Sequence, residues 1–191
     1  MRSIDQLKID RIHKAAMDIV YQDGFDHISL QHIAKMAKVS PGAPYVYYKD
    51  KQDLLTGLCC ICLEYVSDGL QDAIDSAGSL KEKIYAAVFN MVHRFCDVPL
   101  MVKYVIKFRG NPELYTEDMK KRYAVVNQPL EDLCREAIAS GQAKTQDLML
   151  MQMILLSTVI RLFDHCDGHA DPFDSGAYAE CVRLCVDAVM K

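Results

Sequence analysis

Apolar residues recur along this chain with the three- and four-residue spacing of amphipathic helices. The first such run consists of Ile12, Ala15, Ala16, Ile19 and Val20. It predicts a helix over residues ~4–23, which Gly24 ends because a glycine tolerates the left-handed backbone that follows a last helical turn. No segment shows the convincing alternation of a half-buried strand. With the breaks described below, the pattern predicts an all-α fold of roughly nine helices.

Capping residues place the boundaries of the next three helices. Ser29 is predicted to cap a short helix that runs to Met36. Ser40 is predicted to cap a second one, with Pro41 at the first helical position, where its missing N–H costs nothing. Asp50 is predicted to cap a long fourth helix, with a break only at residues 77–79.

The C-terminal two thirds of the chain repeats the helical pattern. Ser79 and Glu82 have the spacing of a capping box. Pro129 falls inside one predicted helix and is expected to kink or break it. The remaining predicted helices span residues 79–96, 99–109, 116–139, 145–164 and 177–190, with a loop at 165–174.

Charge is distributed unevenly. The formal net charge is −4, which on its own disfavours a nucleic-acid partner. However, residues 27–49 contain three lysines and no acidic residue. A local positive patch on an otherwise acidic chain is compatible with binding DNA at that patch alone.

The chain has the features of a cytoplasmic protein. Its charged, amphipathic N-terminus lacks the apolar region of a secretory signal. The most apolar run, residues 148–160, is too short to span a bilayer, so no membrane association is expected. Eight cysteines in a chain of 191 residues that is 51% hydrophobic are expected to be free, mostly buried thiols.

Residues 29–48 fit a helix-turn-helix, the arrangement that places one helix in a DNA groove. Gly42 and Ala43 would allow the backbone to approach DNA closely. Tyr45 and Tyr47 can donate to phosphate, and Lys49 and Lys51 can neutralise it. The predicted domains are 1–50, which binds DNA, and 51–191.

The same segment resembles the DNA-binding domain of the TetR family of bacterial regulators. The resemblance covers about residues 8–56 and rests on Gly24-Phe25, Ile28-Ser29, Ile33-Ala34, Ala37, Val39-Ser40, Gly42, Tyr45, Tyr47-Tyr48, Lys51 and Leu54-Leu55. It implies double-stranded DNA as the partner and a set of contact residues that comprises Ser29, Ser40, Pro41, Gly42, Ala43, Tyr45, Val46, Tyr47, Lys49 and Lys51. It also implies that Tyr47 faces phosphate and that Tyr48 packs inward.

Two features depart from the family pattern. Lys38 stands where the family has glycine, so the turn is expected to need an adjusted or strained backbone. Pro41 and Pro44 remove two backbone donors, and Pro44 disfavours helical geometry at Ala43. Readout by the second helix is therefore expected to lean on apolar contacts and DNA shape.

The resemblance also implies that residues ~54–191 dimerise and bind an effector. Residues 148–163 are apolar around most of the helix, so they need more than one packing partner. The alternative is a central core helix. The implied dimer interface comprises Met151, Ile154, Leu155, Thr158, Leu162, Tyr178, Val182, Cys185 and Val189. Candidate residues of a pocket for an apolar or amphipathic effector are Cys62, Tyr65, Met91, His93, Tyr104, Phe108 and Tyr123.

The favoured function is a homodimeric repressor that an effector releases from a palindromic operator. One alternative is a small-molecule carrier with degenerate DNA binding. Another is a thiol- or metal-responsive regulator, because Cys59-Cys60-x-Cys62 and His165-Cys166-x-x-His169 group possible ligands without completing a standard metal site. No cofactor is expected, and no enzyme motif is present.

Overall fold

The computed structural model describes residues 4–165 and 176–191, and the statements below concern those residues. They form ten α-helices and one 3₁₀ helix at Pro112–Leu114. The only β pairing among them is an isolated bridge between Ala143 and Met190, so the predicted all-α class is confirmed. The helices are α1 (Ile4–Asp23), α2 (Leu30–Met36), α3 (Ala43–Tyr47), α4 (Lys51–Ser67), α5 (Leu70–Asp75), α6 (Leu80–Asp97), α7 (Pro99–Arg109), α8 (Glu117–Ala139), α9 (Leu148–His165) and α10 (Ala177–Val189).

The helices fall into two compact units. The first combines the chain up to residue 63 with residues 99–123, and the second combines residues 64–98 with residues 124–191. The predicted helix-turn-helix, residues 29–48, lies wholly within the first unit. The predicted domain boundary at residue 50 stays a prediction.

The turn after α2 is a Schellman motif with a lysine at the position that glycine usually occupies. The amide of Val39 donates to the carbonyl of Ala34 at 3.0 Å, and the amide of Lys38 donates to the carbonyl of Lys35 at 3.2 Å. Lys38 has φ 54°, the only positive φ of a described residue other than glycine. The strained turn expected from the sequence is therefore present.

We expect Lys38→Gly to raise the free energy of unfolding by about 0.5–1 kcal/mol. A left-handed conformation costs a non-glycine residue roughly 1–2 kcal/mol, and the greater entropy of an unfolded glycine offsets about 0.5–1 kcal/mol of that gain. Urea denaturation of the two proteins measures the difference. A matched substitution, Lys35→Gly in the helical part of α2, should instead destabilise, and a loss of stability in both variants would contradict the strain argument.

α3 begins later than the sequence indicates. Its N-cap is Gly42, with no side-chain capping bond, so the predicted cap at Ser40 and the predicted first position at Pro41 are wrong. A helix that started at Pro41 would need the nitrogen of Pro44 to donate to the carbonyl of Ser40, and proline has no N–H. The amide of Ala43 donates to that carbonyl instead, at 2.9 Å, in a tight turn that precedes the helix.

Two carboxylates hold the start of α4. The amide of Asp53 donates to Oδ1 of Asp50 at 2.8 Å, and the amide of Lys49 donates to Oδ2 of Asp53 at 2.9 Å. The first bond satisfies an N–H group that the first turn of a helix leaves without a partner, and the second ties the residue ahead of the cap to that turn. The predicted cap at Asp50 is therefore confirmed.

The long fourth helix expected from the sequence is divided in two. α4 ends at Ser67, and Gly69, with φ 74°, begins the short helix α5. Side chains of α6 hold this break: Nδ2 of Asn90 donates to the carbonyl of Asp68 at 3.0 Å, and the guanidinium of Arg94 donates to Oδ2 of Asp68 at 2.6 Å. These tertiary bonds compensate for the backbone bonds that a continuous helix would have made.

Within the first unit, α7 packs against α1. The hydroxyl of Tyr104 donates to the carbonyl of Leu55 at 2.9 Å. The ammonium of Lys107 donates to the carbonyls of Val20 and Tyr21, at 3.3 and 2.9 Å, at the C-terminal end of α1. A cation is favoured there because the last carbonyls of a helix lack intrahelical donors. α7 is therefore part of the same core as the helix-turn-helix.

An aromatic cluster fills the centre of the first unit. Phe25 lies edge-on to Tyr104 and Phe108, with ring centroids 5.9 and 5.7 Å apart. Tyr115 stacks on Phe108 at 5.7 Å. Such contacts add to the free energy gained by burying the rings.

In the second unit, α10 packs against both α6 and α9. The predicted capping box of α6 is confirmed, because the Ser79 and Glu82 side chains each accept from the other residue's backbone amide. α8 continues through Pro129 without a break. α9 begins at Leu148 and not at Thr145, since Asp147 supplies the cap through a 3.0 Å bond from the amide of Leu150. The predicted loop at 165–174 lies almost wholly outside the described residues.

Candidate DNA-binding site and subunit face

The outer surface of α3 consists of two exposed side chains. Tyr45 is 55% exposed and Val46 is 76% exposed. Pro44, on the opposite side of the helix, is buried among the residues of the first unit. The tyrosine and the valine are therefore the parts of α3 most available to a DNA groove.

A hydrogen bond between α1 and the end of α3 fixes this orientation. Nε2 of His13 lies within hydrogen-bonding distance of the hydroxyl of Tyr48, and their ring centroids are 6.0 Å apart. Burial raises the pKa of Tyr48 to about 12 and lowers the pKa of His13. Both groups are thus neutral near pH 7, with the hydroxyl able to donate to the ring nitrogen. The predicted inward packing of Tyr48 is compatible with this bond, while Tyr47 is half-buried.

The backbone ahead of α3 is open to solvent. Pro41 and Gly42 are exposed, and a Cβ built on Gly42 would meet no atom within 4 Å. Ser40 is also exposed, and Ala43 is half-buried. Ser29 uses its Oγ as an acceptor for the amide of His32, at 3.1 Å, which leaves its hydroxyl proton available to a phosphate oxygen.

The lysines of the segment have different environments. Lys35, Lys38 and Lys49 are exposed. Lys51 is half-buried, and its ammonium donates to the carbonyl of Phe25 at 2.7 Å. Two of the three N–H groups of Lys51 are not used in that bond, so a phosphate contact is compatible with it. The structure therefore gives Lys51 a structural role that the sequence did not predict.

The candidate effector residues do not form a single group. Cys62, Tyr104, Phe108 and Tyr123 lie in the first unit, whereas Tyr65, Met91 and His93 lie in the second. Cys62, Tyr104 and Phe108 are fully or almost fully buried, while Tyr65 is 46% exposed. Arg94, the residue after His93, donates to the carbonyl of Tyr65 and pairs with Asp68 and Asp97. Its guanidinium is thus already engaged.

The described cysteines are buried or half-buried and are not joined in disulfides. Burial raises the pKa of Cys59 far above its ordinary value and that of Cys62 to about 12. Because the thiolate is the reactive form, such thiols are poor nucleophiles at neutral pH. Among the described residues, no three His, Cys, Asp or Glu side chains are grouped as metal ligands. His165-Cys166-x-x-His169 falls mostly outside those residues.

α9 and α10 form a shallow apolar groove of about 930 Å³ on the second unit. Four of the predicted interface residues line it, namely Ile154, Thr158, Leu162 and Cys185. The other five are buried inside the protomer, where they support the groove without reaching its surface; they are Met151, Leu155, Tyr178, Val182 and Val189. By length and composition alone, the whole of α9 is the one described helix that could cross a membrane, although residues 148–160 by themselves are too short; only 22% of the residues of α9 are buried.

Sequence reasoning missed several residues of the groove. Leu184 is 53% exposed and lines it together with Cys181, Ala188 and Arg161. The missed signal is a second apolar stripe on α10, because Ala177, Cys181, Leu184 and Ala188 also recur at helical spacing. The stripe that contains Tyr178, Val182 and Val189 packs into the second unit. The stripe that contains Cys181, Leu184 and Ala188 lines the groove.

The first unit thus carries the parts of a helix-turn-helix DNA-binding domain. Residues 12–58 match the family model described as "Bacterial regulatory proteins, tetR family". This match identifies residues 12–58 as a TetR-type DNA-binding domain, the domain of a transcription regulator.

Three comparisons show what the whole chain is similar to. The HTH-type transcriptional regulator YhgD of Bacillus subtilis is 24% identical over 188 residues, which cover 96% of each chain. A TetR family transcription regulator from Marinobacter aquaeolei has the same fold, with a TM-score of 0.85 at 23% identity over the full length of both chains. The regulator FadR of Bacillus subtilis, solved with stearoyl-CoA, has a TM-score of 0.69 at 18% identity, over 94% of this chain and 98% of its own.

Proposed function

We propose that this regulator is a cytoplasmic homodimeric repressor, which a small-molecule effector releases from a palindromic operator. The observation that carries the proposal is the surface of α3. Tyr45 and Val46 are exposed on α3. Residues 27–49 contain no acidic residue, and the exposed Lys38 and Lys49 lie before and after α3 in the sequence. Such a surface attracts the phosphate backbone and presents side chains to base edges.

The groove between α9 and α10 supports a dimer. Its lining is mostly apolar, and α9 leaves most of its residues outside the core of its own protomer. Exposing such an apolar surface to water is unfavourable for a monomer. A second copy that covers the surface would stabilise the protein by removing it from water. A two-fold dimer also explains a palindromic operator, because it places two recognition helices about 34–36 Å apart, one turn of DNA.

We propose a long-chain acyl thioester as the effector. The reason for this class is the comparison with FadR, whose structure contains stearoyl-CoA. The protein would exchange between a conformation that fits the operator and one that does not. The acyl compound would release the DNA if it binds the second conformation more tightly than the first.

The decisive experiment is a gel shift with the DNA upstream of the protein's own gene. We expect a specific complex that stearoyl-CoA dissociates and that free coenzyme A leaves intact. A complex that resists acyl thioesters of all chain lengths would refute this effector class while leaving the repressor proposal standing. The absence of any specific complex would refute DNA-dependent regulation and favour the carrier alternative.

Salt dependence tests the phosphate contacts. We expect Lys49→Ala to reduce the slope of log affinity against log salt by about one unit, because each neutralised phosphate contributes about 0.9 to that slope. Its stability should not change, since the Lys49 side chain is exposed. Lys51→Ala should also lower the free energy of unfolding by about 0.5–1.5 kcal/mol, as its bond to the carbonyl of Phe25 is lost.

Fluorescence anisotropy between roughly 50 and 200 mM salt, with urea denaturation of the same samples, separates the two effects. Lys121→Ala, on the exposed surface of α8, is the matched control and should change neither quantity. An unchanged slope for both Lys49→Ala and Lys51→Ala would show that neither lysine contacts phosphate.

A further inference from the structure

Val46 is the most exposed of the large apolar side chains in the described part of the chain, at 76%. A single exposed valine on a protein surface usually has no special role. This one lies on the outer surface of α3, next to Tyr45, in the segment that the family uses to bind DNA. Its position raises the question of what an isopropyl group contributes there.

The other residues of α3 and of the turn ahead of it cannot supply strong base readout. Residues 41–48, PGAPYVYY, contain no Asn, Gln, Arg or Lys, the side chains that form bidentate bonds with base edges. Tyr45 is exposed and Tyr47 is half-buried, and each can offer a base edge only one hydroxyl. Direct discrimination between base pairs in the major groove therefore depends heavily on apolar contact.

Only one base offers an apolar group in the major groove, and that base is thymine, through its C5-methyl. A valine placed over any other base edge would cover a donor or acceptor that loses its bond to water and gains none. Val46 therefore has a physical basis both for favouring thymine and for disfavouring the alternatives.

The protein holds this side chain in a fixed orientation. Pro44 is buried on the opposite side of α3, and Tyr48 contacts His13 of α1 immediately after the helix. Rotation of α3 about its axis would disturb both contacts. The isopropyl group is thus presented by a rigid support, which a contact with a single methyl group requires.

We infer that Val46 is a specificity-determining residue that reads the C5-methyl of one thymine in each operator half-site. This inference rests on the proposed function, since it requires an operator. It adds that the operator carries a thymine at the same place in both halves, and that the methyl group itself is what the protein recognises.

The test starts from a duplex selected out of random sequences by the purified full-length protein. Each thymine of that duplex is then replaced in turn by deoxyuridine, which removes only the methyl group. We expect one position in each half-site where the replacement weakens binding about fourfold, the effect of losing one buried methyl. Replacing both should weaken binding on the order of tenfold.

Val46→Ala should abolish this sensitivity, so that thymine and deoxyuridine duplexes bind equally well to the variant. Val125→Ala is the matched control, since Val125 is 71% exposed on α8 in the second unit. It should keep the full sensitivity to deoxyuridine. Placing 5-methylcytosine at the same position should bind more tightly than cytosine to the parent protein and equally to Val46→Ala.

The outcomes distinguish the two levels of the proposal. If no duplex is selected, the proposed function fails. If a duplex is selected and binds specifically, but Val46→Ala retains the penalty for deoxyuridine or no thymine shows one, the role of Val46 is refuted while DNA binding stands.

Discussion

Gly42→Ala should weaken operator binding by roughly 5- to 150-fold while leaving the protein fully folded. The added methyl group would meet nothing within 4 Å in the free protein. Gly42 has φ −83° and ψ −12°, a conformation that alanine adopts without strain. Stability is therefore expected to stay within about 0.5 kcal/mol of the parent, because a slightly poorer cap and a less flexible unfolded chain act in opposite directions.

The loss of affinity follows if the backbone at Gly42 approaches DNA as closely as the family resemblance implies. A methyl group forced into a packed contact costs about 1–3 kcal/mol, which corresponds to a loss of roughly 5- to 150-fold. Fluorescence anisotropy with the operator measures this change, and thermal denaturation confirms that the fold is intact.

Gly57→Ala provides the matched control. It adds the same methyl group in the interior of α4, where the new atom would lie 3.7 Å from Cε1 of Tyr48, an ordinary contact. It should stabilise the helix by about 0.5–1 kcal/mol and leave operator affinity unchanged. Full operator affinity in Gly42→Ala would mean that the DNA does not approach the turn ahead of α3.

Leu184→Glu should convert the protein into a folded monomer. Leu184 is 53% exposed and lines the groove between α9 and α10. On the surface of a monomer the substitution changes stability by no more than about 0.5 kcal/mol. In a two-fold dimer that covers the groove, it would bury two carboxylates against apolar surface, at several kcal/mol for each unpaired charge.

Light scattering at micromolar concentration should report the mass of one chain for the variant and of two for the parent. Operator affinity should fall by on the order of a hundredfold or more, because linking two half-site contacts raises affinity by roughly 10²- to 10⁴-fold. The variant should retain the same weak affinity for an isolated half-site, since α3 is untouched.

Val125→Glu tests whether any new charge has this effect. Val125 is 71% exposed on α8 and does not line the groove. The control should remain a dimer with full operator affinity. A dimeric Leu184→Glu would exclude the groove as the subunit interface and would move the search to another apolar surface.

The sequence was most informative where a local interaction sets the structure. Ser79 and Glu82 bond to each other's amides across three residues, so the start of α6 could be predicted from spacing alone. The adjusted turn at Lys38 was predicted from the resemblance, because the family has glycine at that position, and Lys38 has φ 54°. Both depend on atoms that are close in sequence.

One kind of error arises where distant residues decide the structure, as at the break between α4 and α5. Val66, Leu70 and Ile74 keep a four-residue period across Gly69, so periodicity does not reveal the break between α4 and α5. The bonds that stabilise the break come from Asn90 and Arg94 on another helix. Pattern alone cannot place partners that lie some 20 to 30 residues away, and the same limitation hid the role of Lys51.

The packing of α7 on α1 has a consequence for the design of chimeras that join this DNA-binding domain to another effector-binding domain. The buried bond from Tyr104 to Leu55 and the Lys107 cap on α1 come from a chain segment more than forty residues beyond the helix-turn-helix. A chimera joined at residue 63 would lack both, and would leave Phe25 without two of its aromatic neighbours. The portable module is therefore discontinuous, and a working hybrid needs residues 99–123 as well as the N-terminal helices.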